Sequence, residues 1–93
     1  MPSIVKSIYA SLLECIYNDL SRTNVSDCFF LLDVSSNEID TTNARELFKL
    51  MESHKSLGHS NVKLLKELME TIERKDIVKY IESYEIIINK LLF

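Results

Sequence analysis

Ninety-three residues, 46% hydrophobic and 27% charged, suffice for one small domain with a core of its own and are too apolar for a disordered tail. One Gly and one Pro leave few residues for the turns of a many-stranded sandwich or barrel, which points to an all-α bundle. The net charge of −3 comes without the basic stripe that a nucleic-acid binder needs, and no run reaches the ~20 apolar residues of a membrane span.

In chain order, Val5, Ile8, Tyr9, Leu12, Leu13, Ile16 and Leu20 recur at three and four residues, which predicts a first helix from about Ser3 to Leu20, opened by Pro2 and Ser3. A polar break, Ser21 to Asn24, holds good N-cap residues. A short second helix is predicted from about Asn24 to Leu32, with Val25, Cys28, Phe29 and Leu32 on its buried stripe. At ~100° per residue Phe30 and Leu31 fall off that stripe and are surplus apolar residues on the surface.

The stretch Asp33–Thr42 predicts loop, with at most one helical turn around Asn37 to Asp40. Asn43 and Glu46 have capping-box spacing and open a helix through Leu47, Phe48, Leu50 and Met51 that ends near His54. After a loop containing Gly58, Ser60 is expected to cap a helix with the stripe Val62, Leu65, Leu68, Met69 and Ile72. The last helix starts near Lys75 or Asp76 and buries Ile77, Ile81, Tyr84 and Ile88, with Asp76 placed to complement its dipole. Its apolar end, Ile86 to Ile88 and Leu91 to Phe93, either docks on the bundle or belongs to a longer chain.

Convergent chemistry is sparse. His54 and His59 lie across a loop without a zinc-ligand pattern, and one glycine cannot build a phosphate loop. Cys15 and Cys28 have no C-x-x-C spacing and no signal peptide ahead of them; they are expected to be reduced core residues of a cytoplasmic protein. No enzymatic activity, cofactor or metal is expected. Charge is uneven, with net −4 over residues 1–52 and +1 over residues 53–93, which suits head-to-tail association.

The densest polar cluster is Glu73-Arg74-Lys75-Asp76-Ile77, preceded by a leucine-rich helix and, further upstream, by Phe30-Leu31. Together these resemble the death effector domains, a branch of the death-fold superfamily found in the Fas-associated adaptor, initiator caspase prodomains and their inhibitors. The resemblance runs from about Ile4 to Tyr84. Its most specific element is Arg-x-Asp-Leu, present as Arg74-Lys75-Asp76-Ile77.

The resemblance implies a six-helix antiparallel Greek-key bundle, here with the third helix short or absent, spanning residues 1–93 as a single domain. It also implies no catalysis: such domains bind one another and stack into helical filaments. Arg74 and Asp76 would form a charge triad with an acid on the second helix. Asn24 stands at that position, and Asp27, one turn on, is the acid available instead. Phe30 and Leu31 match the family's plug, received by a pocket on the first and fourth helices of a neighbour, with Glu14, Glu46 and Glu52 as acidic rims.

The expected role is therefore self-association, or recruitment of related domains of an adaptor or initiator caspase, in apoptotic or immune signalling. Phe30, Leu31, Lys63, Lys66, Arg74, Asp76 and Ile77 are the expected contact residues, with Lys75 and Lys79 adding charge. A homo-oligomer is expected, with no nucleic-acid or membrane partner. A decoy that caps such assemblies keeps the same fold. An unrelated helical module is the rival, favoured if Arg74 and Asp76 lie beyond salt-bridge reach.

Overall fold

The computed structural model describes residues 3–34 and 38–92. Five helices follow one another: α1 (Ser3–Asp19), α2 (Arg22–Leu31), α3 (Ala44–Ser53), α4 (Lys63–Thr71) and α5 (Lys75–Leu92). Among the described residues there is no strand, only an isolated antiparallel bridge between Gly58 and Asn61. Residues 38–43 carry no helix, and Asn37, where the single helical turn is expected to begin, lies outside the described residues.

Local chemistry sets most of the boundaries. The second helix starts at Arg22, two residues earlier than expected, because Ser21 and Asn24 form a capping box. Ser21 Oγ accepts from the Asn24 amide at 3.1 Å, and Asn24 Oδ1 accepts from the Ser21 amide at 3.3 Å. The box expected at Asn43 and Glu46 is only half made: Asn43 Oδ1 accepts from the Arg45 amide at 2.9 Å, with no return bond from Glu46. Ser60 is not the cap of α4. That helix follows the Gly58–Asn61 bridge, and its N-cap position is Val62, which is buried and has no side-chain bond to give.

Three helices end in the same way. Beyond α2, α3 and α4, the residues Asp33, Lys55 and Glu73 take φ of 58°, 59° and 63°. In each case two backbone bonds close the turn, as in Lys55 N–H to Glu52 O at 3.0 Å and Ser56 N–H to Met51 O at 2.9 Å. These are Schellman turns built without glycine, and Gly58 itself has no positive φ. Left-handed backbone costs a residue with a Cβ about 1–2 kcal/mol, partly offset because glycine loses about 0.5–1 kcal/mol more chain entropy on folding. Lys55→Gly should therefore raise stability by about 0.5–1 kcal/mol, read as a higher urea midpoint at unchanged slope.

The expected stripes form one core. Val5, Leu12 and Ile16 of α1 meet Val25, Cys28 and Phe29 of α2, Leu47, Phe48 and Met51 of α3, Leu65, Leu68 and Met69 of α4, and Ile77, Ile81, Tyr84 and Ile88 of α5. Helix α1 packs on α5 and α3, α2 on α3, and α4 on α5. The partner pairs Arg74–Asp19 and Tyr9–Tyr84 make α5 antiparallel to α1, and Tyr9–Glu52 with Glu14–Arg45 do the same for α3. Burial pushes the Cys28 thiol up to about 11, so it is an unreactive core residue. Cys15, expected beside it in the core, is exposed: it follows the acidic Glu14 on the outer face of α1. At the apolar end of α5, Ile88 and Leu92 dock on the bundle while Ile86, Ile87 and Leu91 stay exposed.

Candidate functional site

The Schellman turn that ends α4 runs straight into α5, and Arg74 belongs to both: its amide closes the turn on Met69 O and its carbonyl accepts the Ile77 and Val78 amides. That double constraint aims its side chain back across the bundle, where the guanidinium joins three helices. Nε and Nη2 donate to the two carboxylate oxygens of Asp76 at 3.1 and 2.8 Å, a bidentate pair. Nη1 donates to Asn24 Oδ1 at 2.8 Å and to the Asp19 carbonyl at 2.9 Å. Asp19 is the last residue of α1, so the cation also meets the negative end of that helix.

Asn24, not Asp27, completes the network. Asp27 makes no hydrogen bond or ion pair with Arg74: it lies nearly a turn further along α2 and is exposed, whereas Asn24, half-buried in the first turn of the helix, meets the guanidinium. An amide suffices at this position since one carbonyl oxygen has two lone pairs. Asn24 Oδ1 uses them for the Ser21 amide and for Arg74.

Arg74 holds the Asp76 carboxyl at about 2, well below its ordinary 3.8. A depressed carboxylate stabilises the fold fully above the unfolded value, and that contribution is lost as pH falls from about 4 towards 2. Wild type should therefore lose melting temperature over that interval more steeply than Asp76→Asn. Parallel melting curves against pH would show that the pair does not hold the fold.

The face of α2 opposite the core carries the apolar surplus. Phe30 is 82% exposed and Leu31 44%, whereas neighbouring Phe29 is 1% exposed. On another face, α1 and α3 enclose an open groove of about 300 Å³ floored by Ala10, Leu13, Tyr17 and Phe48. Its rim is charged: Glu14 and Arg45 at one end, Lys49 midway, Glu52 at the other. Arg45 lies 4.3 Å over the Tyr17 ring and only 3.4 Å from Glu14, both side chains more than half exposed. Glu52 accepts from the Tyr9 hydroxyl at 2.8 Å.

The other expected contact residues divide. Lys63 is exposed. Lys66 is held by Glu85 at 2.7 Å within the chain. Ile77 is 0% exposed, which corrects its place among the contact residues: it lies on the core stripe of α5 with Ile81, Tyr84 and Ile88, and its presence in the motif reflects packing. Glu46 does not line the groove.

Arg45, Lys49 and Tyr17 were missed. The i, i+4 cations of α3 were visible in the sequence, but only the packing of α1 against α3 places them along an apolar trough. Among the described residues no three His, Cys, Asp or Glu side chains converge as for a metal, and no helix is long and apolar enough to cross a membrane.

The death effector domain family model matches residues 9–86. No curated protein and no solved structure matches the chain.

Proposed function

The chain belongs to the death effector domain family, and from that membership we propose that it is a non-catalytic recruitment module of the cytoplasm which binds a second death-effector-type domain through the Phe30 and Leu31 face of α2. The family's domains engage other death-fold domains in apoptotic signalling. The observation that carries the choice of face is the exposure of Phe30. A ring 82% open to water on a ten-residue helix gains nothing for the fold, and apolar surface of that kind marks contacts.

Arg74 and Asp76, at the junction of α4 and α5, and Lys63, at the start of α4, are the polar contacts of the proposal. Arg74 also acts by locking α1, α2 and α5 together, which fixes the angle at which α2 presents Phe30. Assembly into extended stacks follows if plug and groove act head to tail, since two different surfaces need not close on themselves.

Light scattering after size exclusion, over a range of protein and salt concentrations and with a second death effector domain added, tests the reading. The expected result is a concentration-dependent, salt-sensitive complex, with itself or with the added domain. A chain that stays monomeric and leaves the added domain unbound would overturn it.

A further inference from the structure

We propose that the surface shared by α1 and α5 binds the same surface of a second copy of this chain, forming a closed twofold dimer apart from the Phe30 contact of α2.

The surface is built from two seams. On α1, Ile4, Ile8, Ser11 and Cys15 recur at three and four residues, and on α5 Tyr80, Ser83, Ile87 and Leu91 do the same. All are exposed except the half-buried Ile8. Three members of each seam come one residue before a core residue: Ile4, Ser11 and Cys15 before Val5, Leu12 and Ile16, and Tyr80, Ser83 and Ile87 before Ile81, Tyr84 and Ile88. Each seam is therefore turned ~100° from its core stripe, in the same sense on both helices. Helix α1 carries α3 on its other flank, where Arg45 meets Glu14 and Tyr17. Helix α5 carries α4 on its other flank, where Lys66 meets Glu85. In this antiparallel pair the two seams accordingly turn towards each other and make one continuous surface.

No member of either seam is charged, in a chain that is 27% charged. Depletion of charge is what marks the centre of an interface. The contacts of Tyr9 with Tyr84 and of Asp19 with Arg74 set Ile4 level with Asn89, between Ile87 and Leu91. These three apolar side chains, 57%, 45% and 44% exposed, therefore gather at one end.

The same register makes the surface complementary to itself. A twofold axis running along the helix pair lays α1 on α5 of the second copy, antiparallel and at unchanged heights, so that Ile4 of each copy meets Ile87 and Leu91 of the other. Glu14 and Lys79 stand level with one another on the two outer edges, and the axis brings each Lys79 to the Glu14 of the other copy. Lys79 has no ion pair among the described residues, and Glu14 has only the loose one with Arg45 at 3.4 Å. The surface is about 25 Å long and about 20 Å wide, or ~1,000 Å² over both copies, the lower limit of a specific interface. The dimer is therefore weak and forms at high concentration.

Sedimentation equilibrium on the Phe30→Ala chain, which lacks association through α2, isolates this contact. The expected result is a reversible monomer–dimer equilibrium without larger species, because an isologous surface closes on itself. Ser83→Arg in the same chain sets two like charges on the seam and should weaken dimerisation at least ~10-fold. It keeps the fold, since arginine is a good helix former at an exposed position. Ser11→Arg stands in if circular dichroism shows the Ser83 variant unfolded. Lys79→Glu should weaken the dimer about fivefold, and adding Glu14→Lys should restore it, because every copy then carries both members of the reversed pair. A Phe30→Ala chain monomeric at every concentration, a dimer indifferent to the arginine, or a double reversal that fails to restore it would overturn the proposal. None of these outcomes bears on the α2 reading, which the difference between wild type and Phe30→Ala decides.

Discussion

Phe30→Ala should leave the domain folded and remove its association through α2. The ring is 82% exposed, so its loss takes almost no buried area from the fold, and alanine keeps the helix propensity of α2. Glycine at the same place would confound the result by about 1 kcal/mol of helix propensity. In the complex the ring would be fully desolvated in a groove floored by Leu13, Tyr17 and Phe48. Truncating such an anchor typically costs at least ~2 kcal/mol, about a thirtyfold loss of affinity. Urea unfolding and sedimentation of the same sample separate the two quantities. An unchanged association constant would remove Phe30 from the interface.

The neighbouring residue should behave in the opposite way. Phe29 is 1% exposed, in the core that α2 shares with α3. Phe29→Ala should cost about 3–5 kcal/mol through lost transfer energy and the cavity left behind. A domain of this size has only about 5–10 kcal/mol to lose. The variant should melt at least ~15 °C lower and stand near the edge of folding. It would lose binding only because the folded population falls, so the two adjacent alanine variants distinguish a fold residue from a contact residue. A melting point within a few degrees of wild type would mean that the ring is not packed as described.

The Phe29 and Phe30 contrast was legible in the chain, because helical periodicity is an angular rule that needs no knowledge of neighbours. Adjacent residues lie ~100° apart, and Val25, Cys28 and Leu32 fix which direction is inward. The same rule placed every buried residue of α5 except Val78, and it located Ile77 correctly on the core stripe. Counting Ile77 as a contact residue came from its place in the motif, and burial overrules that.

Boundaries were less legible where two polar residues competed for one role. Ser21 and Asn24 are both good caps, and the choice between them set α2 two residues earlier than expected. Positive φ at Asp33, Lys55 and Glu73 was invisible for a related reason: Schellman turns usually advertise themselves with glycine, and this chain makes three without one.

The identity of the third member of the Arg74 network was beyond sequence, since it depends on which residue of α2 faces the start of α5. The family resemblance marks Asn24 as a departure and offers Asp27 as the acid available instead. The fold shows that no repair is needed, because one amide oxygen serves both the cap and the guanidinium.

The sequence by itself determined the helices, their inward faces, the exposed Phe30 and Leu31, and the family motif around Arg74. Each is written in residues within a turn or two of one another, where chain geometry alone relates them. Only the tertiary structure decided that Arg74 spans α1, α2 and α5, that Asp27 stands outside its network, and that Arg45 and Lys49 line a trough against α1. Those relations join residues tens of positions apart, and they exist only once burial of the shared core has brought their helices side by side.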